Sequence, residues 1–316
     1  MKAYLGVDIG SISTNIAIIS EDAEVIESLY IRTLGQPIKA VQDGLRKISG
    51  MLTNNVEIIG VGTTGSARRL IGVMLNADLI KNEIIAHAVG AIHFYPDVQT
   101  VLEIGGQDSK IIIIRQGIVT DFAMNTVCAA GTGSFLDHQA QRLNIPIEEF
   151  GDFALRANSK VNIAGRCTVF AESDMIHKAQ LGVGISEIIN GLCEAIVRNY
   201  LNNVGKGKEI LPPVIFQGGV AANKGVKRAF EKELGYEVIV PKYYDVMGAI
   251  GVAILAREEV KGKNTNFPGF EVSDIEFRTR SFECGGCPNN CEVIETLREN
   301  KVIDRYGDRC GKWEVL

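Results

Sequence analysis

Apolar and polar positions along this chain fall into two similar halves. The first opens with Ala3-Tyr4-Leu5-Gly6-Val7-Asp8-Ile9, an apolar run carrying one acid, and the pattern predicts strands over 3–9, 14–20 and 24–32. A helix from Ile38 to Leu52, a strand from Glu57 to Gly62 and a helix from Gly65 follow. The second half repeats the opening with strands near 100–105, 109–115 and 117–124, then adds helices. Unbroken apolar runs such as Ile111-Ile112-Ile113-Ile114, alternating with helical patterns, favour largely buried sheets covered by helices. Over 185–204, Ile185, Ile188, Ile189, Leu192, Ile196 and Val197 recur at helical spacing, and Cys193 among them reads as core packing. The helix from Asp245 to Val260 holds Met247-Gly248-Ala249-Ile250-Gly251-Val252-Ala253, small residues that permit another helix to come close.

Glycine-rich turns stand at three strand ends, after the first strand of each half and after a further apolar run, Val214-Ile215-Phe216. They are Gly10-Ser11-Ile12-Ser13-Thr14, Gly105-Gly106-Gln107-Asp108-Ser109 and Gln217-Gly218-Gly219-Val220-Ala221. Glycine lets the backbone approach a ligand, and neighbouring N–H groups and hydroxyls suit phosphate oxygens. Asp8 and Asp108, at the ends of two such strands, have the chemistry to hold Mg²⁺ through water or to orient an attacking water. Each acid alone reads equally well as a turn-former; three turns of one design on one chain favour function. Three strands, a helix and a strand, given twice with a phosphate turn after each first strand, predict an α/β chain of two duplicated ATPase lobes with nucleotide in the cleft between them. The expected divisions are lobe I over 1–96, lobe II over 97–260, and a linker with a Cys-rich tail over 261–316.

At 316 residues, 46% hydrophobic and 22% charged, the chain has material for a sizeable core. A net charge of -5 suggests no nucleic-acid surface. No apolar run reaches the ~18 to 20 residues of a membrane span, and the N-terminus lacks a signal peptide's regions. A cytoplasmic protein with no membrane or nucleic-acid partner is expected. In a reducing cytosol, clustered cysteines point to metal or redox chemistry rather than disulfides. Cys128, in Cys128-Ala129-Ala130-Gly131-Thr132-Gly133, and Cys167, in Cys167-Thr168-Val169-Phe170, each stand before what reads as the first turn of a helix. An iron-sulfur cluster takes four thiolates, which two per chain supply across a two-fold axis. His87, His93, His138 and His177 lack metal spacing and read as surface or packing residues. Beyond the polar stretch Lys261-Gly262-Lys263-Asn264-Thr265-Asn266, a second set, Cys284, Cys287, Cys291 and Cys310, has metal-ligand spacing for Zn²⁺ or a second iron-sulfur cluster. That segment is too short for a good core of its own.

Several stretches together resemble a known family over about residues 1–258. They are Val7-Asp8-Ile9-Gly10-Ser11, Glu103-Ile104-Gly105-Gly106-Gln107-Asp108, Asn125-Thr126-Val127-Cys128-Ala129-Ala130-Gly131-Thr132-Gly133, Ile163-Ala164-Gly165-Arg166-Cys167-Thr168-Val169-Phe170 and Gly218-Gly219-Val220-Ala221. The chain resembles the activators of 2-hydroxyacyl-CoA dehydratases, grouped with the ATPase components of benzoyl-CoA reductases in the acetate kinase, sugar kinase, Hsp70 and actin superfamily. The resemblance implies duplicated ribonuclease-H-like lobes, ATP/ADP with Mg²⁺, and a homodimer sharing one [4Fe-4S] cluster through Cys128 and Cys167. It implies an ATPase that passes one electron to an iron-sulfur dehydratase or reductase, with ferredoxin or flavodoxin as donor, in an anaerobic setting. The candidate catalytic residues are Asp8, Glu103, Gln107 and Asp108. The candidate nucleotide-binding residues are Gly10, Ser11, Ile12, Ser13, Thr14, Asn15, Gly105, Gly106, Gly131, Thr132, Gly133, Gln217, Gly218, Gly219 and Val220. Two features depart from the family. Asn15 stands where many members have a lysine, with Lys110 a candidate substitute against phosphate charge, and the four-cysteine tail is similar to the segment that follows the activator domain in long fused members.

Helix N-termini carry about half a positive charge, worth ~0.3 to 2 kcal/mol per site. Helices starting at Cys128 and Cys167 in both copies would place four such ends against a cluster and favour its reduced form. Two other readings stay open. A small-molecule kinase of the same superfamily would use Asp108 as base, with no need of the cysteine pair. A non-catalytic, nucleotide-dependent interaction module would dock through the tail and show negligible turnover.

Overall fold

Two five-stranded sheets of the same topology organise the chain, in a computed structural model that describes residues 1–53, 55–125 and 128–313. In the first, β1 (Lys2–Ile9), β2 (Ser13–Ser20) and β3 (Val25–Arg32) meander; α1 (Pro37–Met51) leads to β4 (Glu57–Gly65) and α2 (Arg68–Leu75) to β5 (Leu79–Ile80). After α3 (Glu83–Phe94), the strands β6 (Thr100–Ile104), β7 (Ser109–Arg115) and β8 (Ile118–Asn125) meander in turn. Four helices follow, α4 (Gly133–Leu143), α5 (Ile147–Leu155), α6 (Thr168–Gln180) and α7 (Ile185–Asn203), and then β9 (Val214–Gln217), α8 (Lys224–Leu234) and β10 (Val238–Ile239). The orders are β3-β2-β1-β4-β5 and β10-β9-β6-β7-β8, the second being the first read from its other edge. In each, the first strand pairs antiparallel with the second and parallel with the fourth. Helix α9 (Met247–Glu259) precedes a third, antiparallel sheet of β11 (Phe277–Glu283), β12 (Glu292–Arg298) and β13 (Lys301–Tyr306).

The expected repeat of meander, helix and strand is therefore present, with small shifts at its ends. The strand expected over 57–62 runs on to Gly65, and the helix after it begins at Arg68. The described residues form two units, one within Met1–Asn82 and Val252–Leu316, the other Glu83–Gly251. These divisions differ from the expected 96/97 and 260/261. Helix α3 goes with the second unit because Ile84, Ala88 and Ala91 bury against Val101, Ile112 and Ile215 of its sheet. The small residues of α9 act as expected at Gly251, where a Cβ would stand 1.8 Å from Ala86 O of α3.

The segment read as a linker and separate tail is instead built onto the first unit. Val272 and Phe277 enter the core formed by β1, β2, α1 and α2. Gln42 Nε2 donates to Ile275 O at 2.7 Å, Arg46 pairs with Asp274 at 3.0 Å, and Thr265 Oγ1 donates to Asp78 at 2.7 Å. The short tail thus borrows a core it cannot make alone. Among the described residues no helix is long and apolar enough to cross a membrane.

Candidate functional site

Both large sheets pass from first to second strand through hairpins of the same length and bonding. Asp8 stands opposite Asn15 across β1 and β2, and Glu103 opposite Lys110 across β6 and β7. Gly10 N donates to Ser13 O at 2.8 Å, and Gly105 N to Asp108 O at 3.0 Å. The parallel fourth strands complete the match. Gly65, ending β4, has φ +90°, and a Cβ there would lie 2.5 Å from Ile9 O and 2.6 Å from Asp8 Oδ1. Gly218, after β9, has φ +88°, and its Cβ would lie 2.5 Å from Ile104 O and 2.7 Å from Glu103 Oε1. Both positions exclude any side chain.

Four buried polar atoms at these turns lack a hydrogen-bond partner: Asn15 Oδ1 and Thr64 Oγ1 in the first unit, Ser109 Oγ and Gln217 Oε1 in the second. Buried polar atoms are normally satisfied, so their concentration here suits a polar ligand. Of the remaining candidates, Asp8 and Thr14 are buried, Gly10, Ile12 and Ser13 half-buried, and Ser11 exposed. Gly105, Gly106 and Asp108 are half-buried, Gln107 and Gly219 exposed, and Val220 buried.

Charge separates the two turns. Lys110 Nζ, 3% exposed, lies 2.9 Å from Asp108 Oδ1, 3.0 Å from Glu103 Oε2 and 3.4 Å from Glu83 Oε2. Burial works against its charge, but Glu103, Asp108 and Glu83 outweigh burial and hold the ammonium well above its ordinary range. Burial pushes the Glu103 carboxyl up to about 8, against the pull of Lys110. Lys110 is therefore not the substitute phosphate ligand expected from the sequence, because its three donors are already turned to carboxylates. His87 is a packing residue, as expected, and it also orients a candidate side chain, since its Nδ1 accepts from Gln217 Nε2 at 2.9 Å. Burial, and then the Lys110 charge, lower its pKa to about 3, so the ring is neutral. Glu83, His87 and Gly65 are missing from the candidates, although Gly65, a lone glycine at a strand end, carried a signal.

Strand β8 leads to Cys128, which Asn125 brackets: its Oδ1 accepts the Cys128 N–H at 2.9 Å and its Nδ2 donates to Cys128 O at 2.8 Å. Thr126 and Val127, part of the same motif, lie outside the described residues. A 3-10 turn, Ala129–Gly131, follows Cys128, and α4 begins only at Gly133. Its first amides are taken by the glycine turn after β6, Gly133 N by Gly105 O at 2.8 Å and Ser134 N by Gly106 O at 2.9 Å. The helix end expected at Cys128 is thus used elsewhere, whereas Cys167 is the N-cap of α6. One helix end per chain, not two, stands at the thiols. Gly131 fits under α7, where a Cβ would lie 2.7 Å from Asn199 Oδ1, and Thr132 Oγ1 donates to Ala129 O at 2.8 Å.

Cys128 Sγ lies 3.9 Å from Arg166 O, so the two cysteine motifs adjoin. Consecutive residues of α7 connect them to the charged turn. Asn199 Nδ2 donates to Gly165 O at 2.6 Å and stands 3.8 Å from Cys128 Sγ. Tyr200 donates its hydroxyl to Lys110 O at 2.5 Å. Beside Cys167, Val169 and Phe170 are 65% and 66% exposed. Cys193 is plain core, its thiol pushed by burial to about 12. In the tail, Cys284 is buried, Cys291 half-buried, and Cys287 and Cys310 exposed. Among the described residues no three His, Cys, Asp or Glu side chains stand grouped as a metal site.

Duplicated mixed sheets, each with a glycine-lined turn after its first strand, define a two-lobe α/β protein of the actin, Hsp70 and sugar-kinase fold class. The BadF/BadG/BcrA/BcrD ATPase family model matches residues 5–256, and the chain belongs to that family. It is 35% identical over 266 residues to the (R)-2-hydroxyglutaryl-CoA dehydratase activating ATPase of Acidaminococcus fermentans, covering 81% of this chain and 98% of that one. A solved structure, the activator of the 2-hydroxyisocaproyl-CoA dehydratase from Clostridium difficile with bound ADPNP, matches with TM-score 0.74 and 32% identity, covering 82% and 96% of the two chains. Component A of the Acidaminococcus fermentans (R)-2-hydroxyglutaryl-CoA dehydratase matches with TM-score 0.75 and 31% identity, covering 82% and 99%.

Proposed function

We propose that this chain is an ATP-driven activator of a 2-hydroxyacyl-CoA dehydratase or a related reductase. It hydrolyses ATP and, as a homodimer, delivers one electron from a [4Fe-4S] cluster held by Cys128 and Cys167 of two copies, with ferredoxin or flavodoxin as donor in the cytoplasm. The observation that carries this reading is the helix pair Asn199 and Tyr200, which touches the Cys128 thiol on one side and the Lys110 strand on the other. A small-molecule kinase has no use for such a connection. The relatives named as dehydratase activators support the partner class.

The residues present suit the groups this function needs. Cys128 and Cys167 are half-buried soft donors beside a helix N-terminus, and exposed Val169 and Phe170 suit contact with a second copy. When bound, the cluster supplies the one-electron couple. Asp8, whose cross-strand neighbour Asn15 is uncharged, suits Mg²⁺ through a hard carboxylate oxygen. Asp108, ion-paired with Lys110, suits the orienting of an attacking water, and Gly105 and Gly218 let the turn backbone pack close against Glu103 and its neighbours. In the test, Cys128→Ser and Cys167→Ser, prepared without oxygen, each lose the shared iron while still binding ATP. Wild-type reduction potential shifts between ADP and non-hydrolysable ATP states, about 59 mV corresponding to a tenfold change in equilibrium. Identical potentials in nucleotide-free, ADP and ATP-analogue states refute the coupling.

A further inference from the structure

Residues 257–316 lie beyond the family match, and their four cysteines have no part in the proposed function. The third sheet brings all four to one end. Glu283 of β11 pairs with Glu292 of β12, so Cys284 and Cys291 flank the same turn, and Cys284 N donates to Cys291 O at 2.8 Å. Cys287 lies within that turn, which Asn290 N closes on Cys287 O at 3.2 Å. Strand β13 runs antiparallel to β12, with Tyr306 opposite Ile294, and so leaves the sheet at the same end. There Gly307, φ +109°, passes so close that a Cβ would lie 2.4 Å from Glu292 O.

The chain then folds back over the turn, carrying Cys310 with it. Trp313 stacks edge-on against Phe282 at 5.0 Å and donates Nε1–H to Cys284 Sγ at 3.1 Å. The Gly286 amide donates to the same sulfur. Paired N–H···S bonds are the outer contacts that orient a metal-bound thiolate. Arg305 and Lys312 lie over the Trp313 ring, positive charge beside the thiols. Asp308 Oδ1 is buried with no hydrogen-bond partner, although its Oδ2 takes the Cys310 thiol at 3.6 Å. The turn itself, Gly285-Gly286-Cys287-Pro288-Asn289-Asn290, is exposed throughout and offers no large apolar side chain to hold it. The sulfurs are not yet gathered as a coordination set.

We propose that Cys284, Cys287, Cys291 and Cys310 bind one Zn²⁺ as a tetrathiolate that locks this end of the sheet. Each thiol gives up its proton to solvent as its Zn–S bond forms, and Cys310 leaves Asp308 to do so. Zinc fits better than an iron-sulfur cluster because what this end of the sheet needs is a hold on a turn that lacks a core, which a redox-inert, four-coordinate ion provides.

The test measures metal on the full chain, purified anaerobically and given Zn²⁺, then dialysed. About one zinc per chain is expected in the wild type. Cys287→Ser with Cys310→Ser should lower that at least fivefold, while Cys128→Ser with Cys167→Ser should leave it unchanged. Co²⁺ in place of Zn²⁺ should give the thiolate charge-transfer and visible bands of a tetrahedral site, lost in the tail variant and kept in the other. Circular dichroism of each variant confirms that it is folded. Zinc that stays when the tail cysteines are replaced, or a wild type that retains none, overturns the proposal. Iron and sulfide that follow the tail cysteines overturn it in favour of a second cluster.

Discussion

The two glycine turns share one backbone and differ in their cross-strand neighbours, above all across the hairpin. Asp8 faces Asn15, whereas the matching Glu103 faces Lys110. In the first turn the buried acid has a neutral amide across from it, and Asn15 Oδ1 has no hydrogen-bond partner. In the second, a buried ammonium is enclosed by Glu103, Asp108 and Glu83. Two hairpins that look alike in sequence therefore carry different cross-strand pairs. The second fixes its acids in place through Lys110, whereas the first sets its acid across from an uncharged amide, the arrangement from which the Mg²⁺ role of Asp8 is proposed.

Removing the lysine gives the largest expected effect. Lys110→Met leaves the cluster of Glu103, Asp108 and Glu83 with no cation, and breaking a buried pair by removing one partner costs about 3 to 5 kcal/mol. Urea denaturation should show that loss, whereas Asn15→Leu should change stability by about 1 kcal/mol or less, since an unbonded amide oxygen is replaced by a side chain of similar size. Equal effects at the two positions would erase the distinction between the turns. The shared backbone predicts the opposite, a matched pair: Gly65→Ala and Gly218→Ala each force a Cβ to about 2.5 Å from a carbonyl oxygen at positive φ. Each should cost about 1 to 3 kcal/mol, and the two losses should agree within about 1 kcal/mol. A cost at only one of them would show that the turns are not built alike.

The repeated strand pattern made the duplicated fold legible in the sequence, because buried apolar runs and glycine punctuation survive without an alignment. The positions of the turns were legible for the same reason, with Asp8, Glu103 and Asp108 standing at them. What the sequence hid were partners distant along the chain. Glu83, His87 and Tyr200 meet the turn only through packing, and nothing in the local pattern around Lys110 separates an ion-paired lysine from a phosphate ligand. The helix expected at Cys128 failed for a local reason: Ala129–Gly131 takes a 3-10 turn so that the α4 amides can reach Gly105 and Gly106. The tail read as separate because its apolar residues are few, yet Val272 and Phe277 suffice to seat it on another core.

A smaller effect distinguishes the turns by pH. The residue opposite Glu103 on the parallel strand is Gln217, bonded to neutral His87, while Thr64 stands opposite Asp8. His87 is lowered to about 3 in the fold, so between about 6.5 and 3 the unfolded chain binds the extra proton. Its contribution is present in full above pH 6.5 and is lost as pH falls, by at most about 1.4 kcal/mol per unit. His87→Gln should flatten the wild-type loss of stability between pH 6.5 and 5, as read by denaturation at each pH. Glu103, raised to about 8, acts with the opposite sign, its contribution fading as pH rises from about 4.5 toward 8. An unchanged acid slope in the variant would place a charged or solvated ring at position 87.

The smallest expected change in stability comes from making the first turn like the second. Asn15→Lys introduces an ammonium directly across from Asp8, as Lys110 stands across from Glu103. The site is nearly buried, so the new charge is desolvated, and pairing with Asp8 offsets that cost to within about 1 kcal/mol. Cation binding should respond far more than the fold does. An acid already matched by a lysine has less to offer Mg²⁺, so titration of the nucleotide-loaded protein should show weaker Mg²⁺ dependence, by about tenfold for each 1.4 kcal/mol of attraction diverted. Should Mg²⁺ dependence stay as in the wild type, Asp8 is not the carboxylate that meets the metal, and the division of labour between the two turns must be redrawn.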